Sequence, residues 1–335
     1  MTMFLSAFLL PLIASVAGTR LALAWLQSRQ ILDRPNERSS HSRPTPRGGG
    51  LAVTPVILLA WAAVAARTIA EGAPGGLSLV IAVGGAGLLF ALSWIDDRGG
   101  LSARLRLGVH VLAVAAGLAF LPAKDLICQG WLPFWADRLV ALCAWVWFVN
   151  LFNFMDGIDG ISGVETAAIG IGLAILAAVT GDGTGLPLAL AAAAAGIGFL
   201  AWNWHPARIF LGDSGSVPLG YLLGWLLLRA AGQGLWAPAL ILPAYYLADA
   251  TLTLARRAWR REPLLQAHRQ HFYQKAVRGG SGHDRVVSLI FSADILLIAL
   301  ALLGRTDPWP ALAGAAAVVV ALLWILARLG RGAPP

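Results

Sequence analysis

Long apolar stretches, separated by short polar segments, follow one another along the whole chain. The hydrocarbon core of a bilayer is about 30 Å thick, so a helical span needs ~20 apolar residues. The pattern therefore predicts an all-α, polytopic integral membrane helix bundle that forms a single domain over residues 1–335. About eleven transmembrane helices are predicted, at 3–26, 49–70, 76–95, 107–122, 135–151, 161–180, 185–202, 215–231, 236–255, 286–303 and 309–327.

The composition agrees with this prediction and limits the alternatives. Hydrophobic residues make up 58% of the chain and charged residues 13%, against roughly 45–50% and 25% in a soluble domain. No sizeable soluble domain is therefore expected. The first apolar run is longer than the core of a signal peptide and has no basic segment before it, so we expect it to be retained as a helix.

The net charge of +8 is concentrated on one predicted side of the membrane. Of the 25 Lys and Arg residues, 19 fall in alternate loops and in the C-terminal tail. Short loops rich in Lys and Arg stay in the cytoplasm, so the distribution predicts an outside N-terminus and a cytoplasmic C-terminus, and it argues against a nucleic-acid partner. The predicted cytoplasmic loops are 27–48, 96–106, 150–160, 203–214 and 256–285.

The scarce acidic residues collect in the same loops. "WIDDRGG" contains Asp96 and Asp97, "NLFNFMDGIDGIS" contains Asp156 and Asp159, and "FLGDSGS" contains Asp213. "HRQHFYQ" and "RPTPRGGG" add histidines and arginines on that side. One polar site assembled from five cytoplasmic loops explains this one-sided distribution.

These residue types favour metal-assisted phosphoryl transfer. Adjacent carboxylates repel each other unless a cation or a proton lies between them, and Mg²⁺ binds through one or two carboxylates and substrate phosphates. Arginine and histidine bind phosphoryl oxygens, while glycine loops and helix N-termini offer backbone amides to an anion. The sequence therefore predicts metal-assisted chemistry on a lipid phosphate at the headgroup level.

Other interpretations are open at this point. Aspartates at loop boundaries are also typical of helix caps and turns. Asp249 and Asp294 lie inside predicted spans, which is compatible with a secondary transporter, although transporters place their sites near the midplane. Basic loops alone suit a scaffold or a flippase-like lipid binder. The sequence assigns no role to Asp249 or Asp294.

The five motifs together resemble those of the polyprenyl-phosphate N-acetylhexosamine-1-phosphate transferases, a WecA/MraY-like family also called glycosyltransferase family 4. They occur in family order, and the similarity extends over nearly the whole chain, from "RPTPRGGG" to "HRQHFYQ". The resemblance implies transfer of an N-acetylamino-sugar-1-phosphate from a UDP-sugar to undecaprenyl phosphate, with release of UMP. It further implies Mg²⁺ as the cofactor, with Mn²⁺ as a substitute. A multi-pass protein of the bacterial inner membrane is expected, with its site on the cytoplasmic face and with a homodimer left open.

The resemblance also assigns roles to individual residues. Phe210 is expected to stack on uracil and Asp159 to contact the uracil edge. The implied catalytic residues are Asp96, Asp97, Asp156, His268 and His271. The implied substrate-binding residues are Arg43, Arg47, Asn150, Asp159, Phe210 and Arg269. The implied metal ligands are Asp213 and Asn153.

The histidine motif bears on the substrate. Arg269 and Gln270 separate its two histidines, whereas the phospho-N-acetylmuramoyl-pentapeptide transferases of peptidoglycan synthesis have three adjacent histidines. The chain therefore resembles the enzymes that initiate O-antigen or other surface polysaccharides, with the pentapeptide transferase as the alternative. The sugar stays open between N-acetylglucosamine, N-acetylfucosamine and N-acetylquinovosamine.

Overall fold

The computed structural model describes residues 5–35, 43–263, 266 and 268–332; part of the loop predicted at 27–48 thus lies outside the described residues. Two short strands, β1 (Leu32–Asp33) and β2 (Thr45–Pro46), pair antiparallel. The described helices are α1 (Leu5–Ser28), α2 (Gly50–Ala70), α3 (Gly76–Gly99), α4 (Ala103–Ala119), α5 (Phe134–Met155), α6 (Ile161–Thr180), α7 (Gly185–Asn203), α8 (Asp213–Gly232), α9 (Trp236–Ile241), α10 (Ala244–Trp259), α11 (Phe272–Arg278), α12 (His283–Leu303) and α13 (Pro308–Leu329).

The predicted all-α, polytopic membrane class is confirmed. Among the described residues, eight helices are long and apolar enough to cross a membrane: α1, α2, α3, α5, α6, α7, α12 and α13. The other three predicted spans fall on α4, on α8, and on α9 together with α10. The span predicted at 236–255 is wrong as a single helix, because the chain breaks between Ile241 and Ala244 at Pro243, which has no N–H to donate.

The positions of the helix ends indicate that α4 also crosses the bundle. Asp97 near the end of α3 and Asn153 near the end of α5 both bond to Asp213 at the start of α8. Helix α4 leaves this end and α5 returns to it, so the 17 residues of α4 must traverse the bundle, a rise of about 25 Å. The polar helix ends thus meet at one end of the bundle, as predicted.

Helices α6, α7 and α8 form the buried centre of the bundle. A Cβ atom on Gly170 of α6 would lie 2.7 Å from the backbone nitrogen of Ala193 on α7, so small residues allow these two backbones to pack closely. The outer helices carry exposed apolar side chains such as Leu59, Leu112 and Val320. This arrangement suits helices whose outer surface faces lipid.

The side of the membrane that the polar end faces is a testable prediction. In a background with Cys128 and Cys143 replaced by alanine, Ser281→Cys should react with an impermeant thiol reagent only after the inner face is opened. Gly183→Cys, in the turn between α6 and α7, should react in intact cells. Labelling of Ser281→Cys in intact cells would contradict the orientation derived from the basic loops.

Candidate functional site

Backbone hydrogen bonds join the "RPTPRGGG" loop to the "FLGDSGS" segment. The Phe210 N–H donates to the Pro46 carbonyl at 2.8 Å, and the Phe210 carbonyl accepts from the N–H groups of Gly48 and Gly49 at 3.0 and 2.8 Å. The expectation that this glycine loop offers its amides to an anion is therefore contradicted at Gly48 and Gly49. Their N–H groups are used to hold two loops together.

Close packing of glycines continues this contact into the helices. The Gly50 N–H donates to the Leu211 carbonyl at 2.8 Å, and a Cβ atom on Gly50 would lie 2.1 Å from the Gly215 nitrogen. Only a residue without a side chain fits between the start of α2 and the start of α8. Because the two starts touch, Arg47 just before α2 lies beside Asp213.

The carboxylate of Asp97 caps the N-terminus of α8. It accepts hydrogen bonds from the N–H groups of Asp213 at 3.1 Å and Ser214 at 3.0 Å, and an Arg47 Nη2 lies 3.0 Å from its Oδ1. The first amides of a helix lack partners within the helix and favour an anion. Asp97 fills that role, so these two amides are not available to a phosphate, contrary to the expectation for this helix start.

Arg47 bridges two carboxylates. Its Nη2 lies 2.6 Å from Asp213 Oδ1 as well as 3.0 Å from Asp97 Oδ1. Burial lowers the pKa of Arg47, but Asp213 and then Asp97 outweigh burial and raise the pKa above that of an ordinary arginine. Its side chain is 38% exposed, against 3% for Asp97 and 18% for Asp213. The cation therefore lies over the acids, where an incoming anion meets it first.

A second arginine serves the neighbouring aspartate. Arg106 Nη1 lies 2.8 Å from Asp96 Oδ2 and 3.6 Å from Asp213 Oδ2. The other Asp96 oxygen accepts the Leu101 N–H. The two adjacent aspartates thus have different partners: Asp97 bonds to α8 and Arg47, while Asp96 bonds to the turn before α4 and to Arg106.

Asn153 and Asp213, the predicted metal ligands, are in contact. The Asn153 Nδ2 donates to Asp213 Oδ1 at 3.1 Å and to Ser216 Oγ at 2.8 Å. Carboxylate and amide oxygens suit a hard divalent cation, and turning the amide would present its oxygen instead of its nitrogen. The donor set therefore fits the metal that the motifs imply.

Asp156 lies where α5 ends and α6 begins. Helix α5 ends at Met155, Gly160 adopts a φ of +80°, and α6 starts at Ile161. The turn thus falls inside the loop predicted at 150–160, although α5 continues to Met155. Asp156 Oδ1 accepts a hydrogen bond from Ser162 Oγ at 2.7 Å. Burial raises the pKa of Asp156 to about 7, with Ser162 and Arg47 opposing the shift, so this carboxyl group titrates near neutral pH.

Asp159 is held by two histidines that the sequence motifs did not single out. His205 Nδ1 lies 2.6 Å from Asp159 Oδ2 and His283 Nδ1 lies 3.3 Å from it, while the Ala207 N–H donates to it at 3.0 Å. Burial alone would raise the pKa of Asp159, but the bonds to His283, Ala207 and His205 lower it to about 2. The carboxylate thus joins three segments, in addition to any contact with uracil.

These three side chains also form a cluster of potential metal ligands. Within the part of the chain that the structure describes, ligand atoms of Asp159, His205 and His283 lie within 4.8 Å of one another. The hydrogen bonds account for their proximity, so we retain Asp213 and Asn153 as the predicted metal ligands. His205 and His283 are 46 and 124 residues from Asp159, and no sequence spacing connects them to it.

The histidine motif lies beside α10 and α11. His271 is buried, and its Nδ1 lies 3.1 Å from Asp249 Oδ1. The His268 ring stacks on it with centroids 4.9 Å apart. Burial, followed by His271 and Arg257, lowers the pKa of His268 to about 4, so His268 is neutral at pH 7. Asp249, which had no role from the sequence, is thereby placed next to the motif.

Three predicted substrate-binding residues remain: Asn150, Arg43 and Arg269. Asn150 Nδ2 donates to the Val146 carbonyl of its own helix at 2.7 Å, so its nitrogen bonds to the α5 backbone. Arg43 is exposed, and its carbonyl accepts from Thr45 Oγ1 at 3.1 Å. Arg269 is half-buried. Their predicted roles stay predictions.

The amino-acid sequence was compared with known protein families and with curated proteins. The glycosyl transferase family 4 model matches residues 79–231. The decaprenyl-phosphate N-acetylglucosaminephosphotransferase of Mycolicibacterium smegmatis is 30% identical, over 90% of this chain and 82% of its own length. The chain belongs to glycosyl transferase family 4. A probable undecaprenyl-phosphate N-acetylglucosaminyl 1-phosphate transferase of Bacillus subtilis is 28% identical, over 78% of this chain and 73% of its own.

Membership of family 4 decides between the classes that the sequence left open. The predicted class, polyprenyl-phosphate sugar-1-phosphate transferase, is confirmed against the transporter and scaffold alternatives. The family depends on a divalent metal. The phospho-N-acetylmuramoyl-pentapeptide-transferase of Moorella thermoacetica is also similar, at 31% identity over 77% of this chain and 83% of its own. The family-4 relatives thus include both N-acetylglucosamine-1-phosphate transferases and a phospho-N-acetylmuramoyl-pentapeptide-transferase.

Replacing Asp213 tests the centre of the cluster. Asp213→Asn removes a negative charge that faces Arg47 and Asn153, and loss of one such electrostatic contribution typically costs 10²–10³ in rate, so a decrease of about that size is expected. Asp182→Asn is the matched control, because Asp182 pairs with Arg229 far from the cluster. The control should lose stability but keep its rate. Near-normal turnover of Asp213→Asn at limiting metal would remove Asp213 from the site.

Replacing Asp159 tests the three-segment contact. Because the pKa of Asp159 is about 2, below the ~3.9 of an unfolded aspartate, its stabilisation is complete above about pH 4 and is lost as pH falls towards 2. Asp159→Asn should therefore lower the melting temperature at pH 7, and its difference from the wild type should shrink between about pH 4 and pH 2. If Asp159 contacts substrate only, the variant melts normally and has a higher KM for the UDP-sugar.

Proposed function

We propose that this protein transfers an N-acetylamino-sugar-1-phosphate from a UDP-sugar to undecaprenyl phosphate, at the cytoplasmic face of the inner membrane, with release of UMP. One observation carries the proposal. Asp97, Arg47 and Asp213 meet where α3 ends and α8 begins, so charged groups suited to phosphates lie at the end of a lipid-facing bundle. A soluble nucleotide and a membrane-anchored phosphate can both reach such a place.

Arg47 and Arg106 are proposed to bind the phosphate oxygens of the substrates. Each is 38% exposed while the aspartates beneath them are mostly buried. Arginine presents a planar set of donors that matches phosphate oxygens. On this proposal each guanidinium exchanges part of its contact with a carboxylate for a contact with the diphosphate or the lipid phosphate.

Asp213 and Asn153 are proposed to hold Mg²⁺, with Mn²⁺ as a substitute. When bound, such a cation offsets the charge on the diphosphate. Both would bind it through oxygen, from the Asp213 carboxylate and from the Asn153 amide, whose Nδ2 lies 3.1 Å from Asp213 Oδ1. Asp156 follows the last residue of α5, three residues after Asn153. Its pKa of about 7 allows it to exchange a proton at neutral pH, and we propose that it acts in the reaction.

The adjacent aspartates are proposed to have different roles. Both oxygens of Asp97 bond to the first amides of α8, so Asp97 positions the site. Asp96 is connected to Arg106 by a charge-assisted contact at 2.8 Å, and the 38% exposure of the Arg106 side chain leaves it within reach of an incoming anion. We therefore assign the orientation of the lipid phosphate to Asp96 and Arg106.

The decisive experiment is UMP release by the purified protein. Protein in detergent, supplied with undecaprenyl phosphate and Mg²⁺, should release UMP from one of UDP-N-acetylglucosamine, UDP-N-acetylfucosamine or UDP-N-acetylquinovosamine. Chelation should stop the reaction, and Mg²⁺ or Mn²⁺ should restore it. Omission of the lipid is the control and should abolish release. Release from UDP-N-acetylmuramoyl-pentapeptide alone would favour the peptidoglycan branch, and no release from any donor would contradict the proposal.

A further inference from the structure

Within the described part of the chain, one ring nitrogen of His271 is bound and the other has no hydrogen-bond partner. Its Nδ1 lies 3.1 Å from Asp249 Oδ1, and its buried Nε2 has no hydrogen-bond partner among the described residues. Buried polar atoms in folded proteins are nearly always hydrogen-bonded. Tyr273 of the same motif donates from its hydroxyl to the Phe154 carbonyl at 3.2 Å, near the end of α5. The motif therefore borders the site, and the unpaired ring nitrogen indicates a partner that arrives with substrate.

The hydrogen bonds around Asp249 indicate which atom donates in its contact with His271. Asp249 is fully buried, and it accepts hydrogen bonds from the hydroxyls of Tyr245 and Thr253, each at 3.1 Å. The N–H groups of Phe272 and Tyr273 also donate to it, at 3.1 and 3.4 Å. With four donors around it, Asp249 is the acceptor in each of these contacts.

The tautomer of His271 follows from these contacts. Four donors already surround Asp249, so its contact with His271 is best satisfied by an Nδ1–H that donates to it, even though the Gln274 N–H of the capping box also faces the His271 side chain. In a neutral ring of that tautomer the lone pair is on Nε2. Asp249 is not part of the "HRQHFYQ" motif, since it lies on α10, 22 residues before His271. The bond between them joins α10 to the N-terminus of α11.

We propose that Asp249 is a positioning residue that fixes the tautomer of His271 and directs its Nε2 to the reacting phosphate; this assignment rests on the proposed function. Nε2 takes one proton from the P–OH of the phosphate monoester and becomes N–H, while the oxygen keeps the electron pair. The carboxylate of Asp249 offsets the positive charge then carried by the ring. The same Nε2–H can afterwards donate to a phosphoryl oxygen.

The His268 ring covers one face of this pair. Its centroid lies 4.9 Å from that of His271 with the planes inclined by 29°, and the Tyr273 ring also stacks on His271, at 5.7 Å. Contact with two rings restricts the rotation of the His271 ring. Orientation comes from the stack, and the choice of tautomer comes from Asp249.

The test is Asp249→Asn. An asparagine amide can donate to Nδ1, which moves the ring proton to Nε2 and removes the lone pair. In the serine protease triad the equivalent change lowers kcat about 10⁴-fold by imposing the wrong tautomer. Here we expect a decrease of at least about 10² in kcat, with the KM for the UDP-sugar changed by less than about threefold. ¹⁵N NMR of histidine-labelled protein, with His271→Ala to assign the signal, should show the protonated nitrogen change from Nδ1 to Nε2.

Asp137→Asn is the matched control. Asp137 is equally buried and also accepts two backbone N–H groups, from Ile127 at 3.3 Å and Cys128 at 2.7 Å, at the opposite end of α5. It should lower the melting temperature while kcat per folded molecule stays unchanged. If Asp249 acts only by holding α11 in place, Asp249→Asn will behave like this control, and the proposal is overturned.

A double variant separates action through His271 from an independent effect. Residues that act as a unit show non-additive losses. His271→Ala should lower kcat about as much as Asp249→Asn, and the double variant should lose little more. Losses that multiply would overturn the proposal. The NMR readout needs no substrate, so an unchanged tautomer contradicts this inference whatever donor the enzyme uses, whereas absent UMP release with the expected tautomer change contradicts only the proposed reaction.

Discussion

Asp97 connects three parts of the chain that are far apart in sequence. It caps the N-terminus of α8, the central helix of the bundle, and it contacts Arg47 in the loop that leads into α2. A buried carboxylate is costly unless it is paired and hydrogen-bonded, and a helix N-terminus also needs acceptors. Each group satisfies the other, so the position of α8 along the bundle is set at this point. The places of Asp213 and of its partner Asn153 follow from it.

Polar groups gather at one end because the interior of a bilayer cannot hydrogen-bond them. Within that end, the contacts divide into two kinds. Backbone bonds such as those of Phe210 with the glycine loop, and the cap on α8, are internal and keep the loops in place. The contacts of Arg47 and Arg106 with carboxylates involve half-exposed cations. Rigid loops therefore carry exchangeable charges, the combination that a site for anionic substrates needs.

Much of the fold could be predicted because hydropathy reports burial in lipid directly. The span predicted at 161–180 coincides with α6, and the loop predicted at 150–160 contains the turn that leads into it. The break at Pro243 was missed because the apolar run continues through it. His205 and His283 were missed because their contact with Asp159 depends on tertiary packing. Asp249 could be recognised as unusual within a span, but its partner is known only once α10 and α11 are placed side by side.

The layering of arginines over aspartates has a thermodynamic consequence. Arg47 neutralises Asp97 and Asp213 from the outer side, so an anion that attracts this guanidinium leaves two carboxylates close together with less compensation. A cation then binds there more tightly than before. Linkage is reciprocal, so a cation that occupies the carboxylates releases the arginine and strengthens the binding of the anion. On the proposed function, nucleotide and metal are therefore expected to be positively cooperative ligands of one site, coupled through the Arg47 side chain.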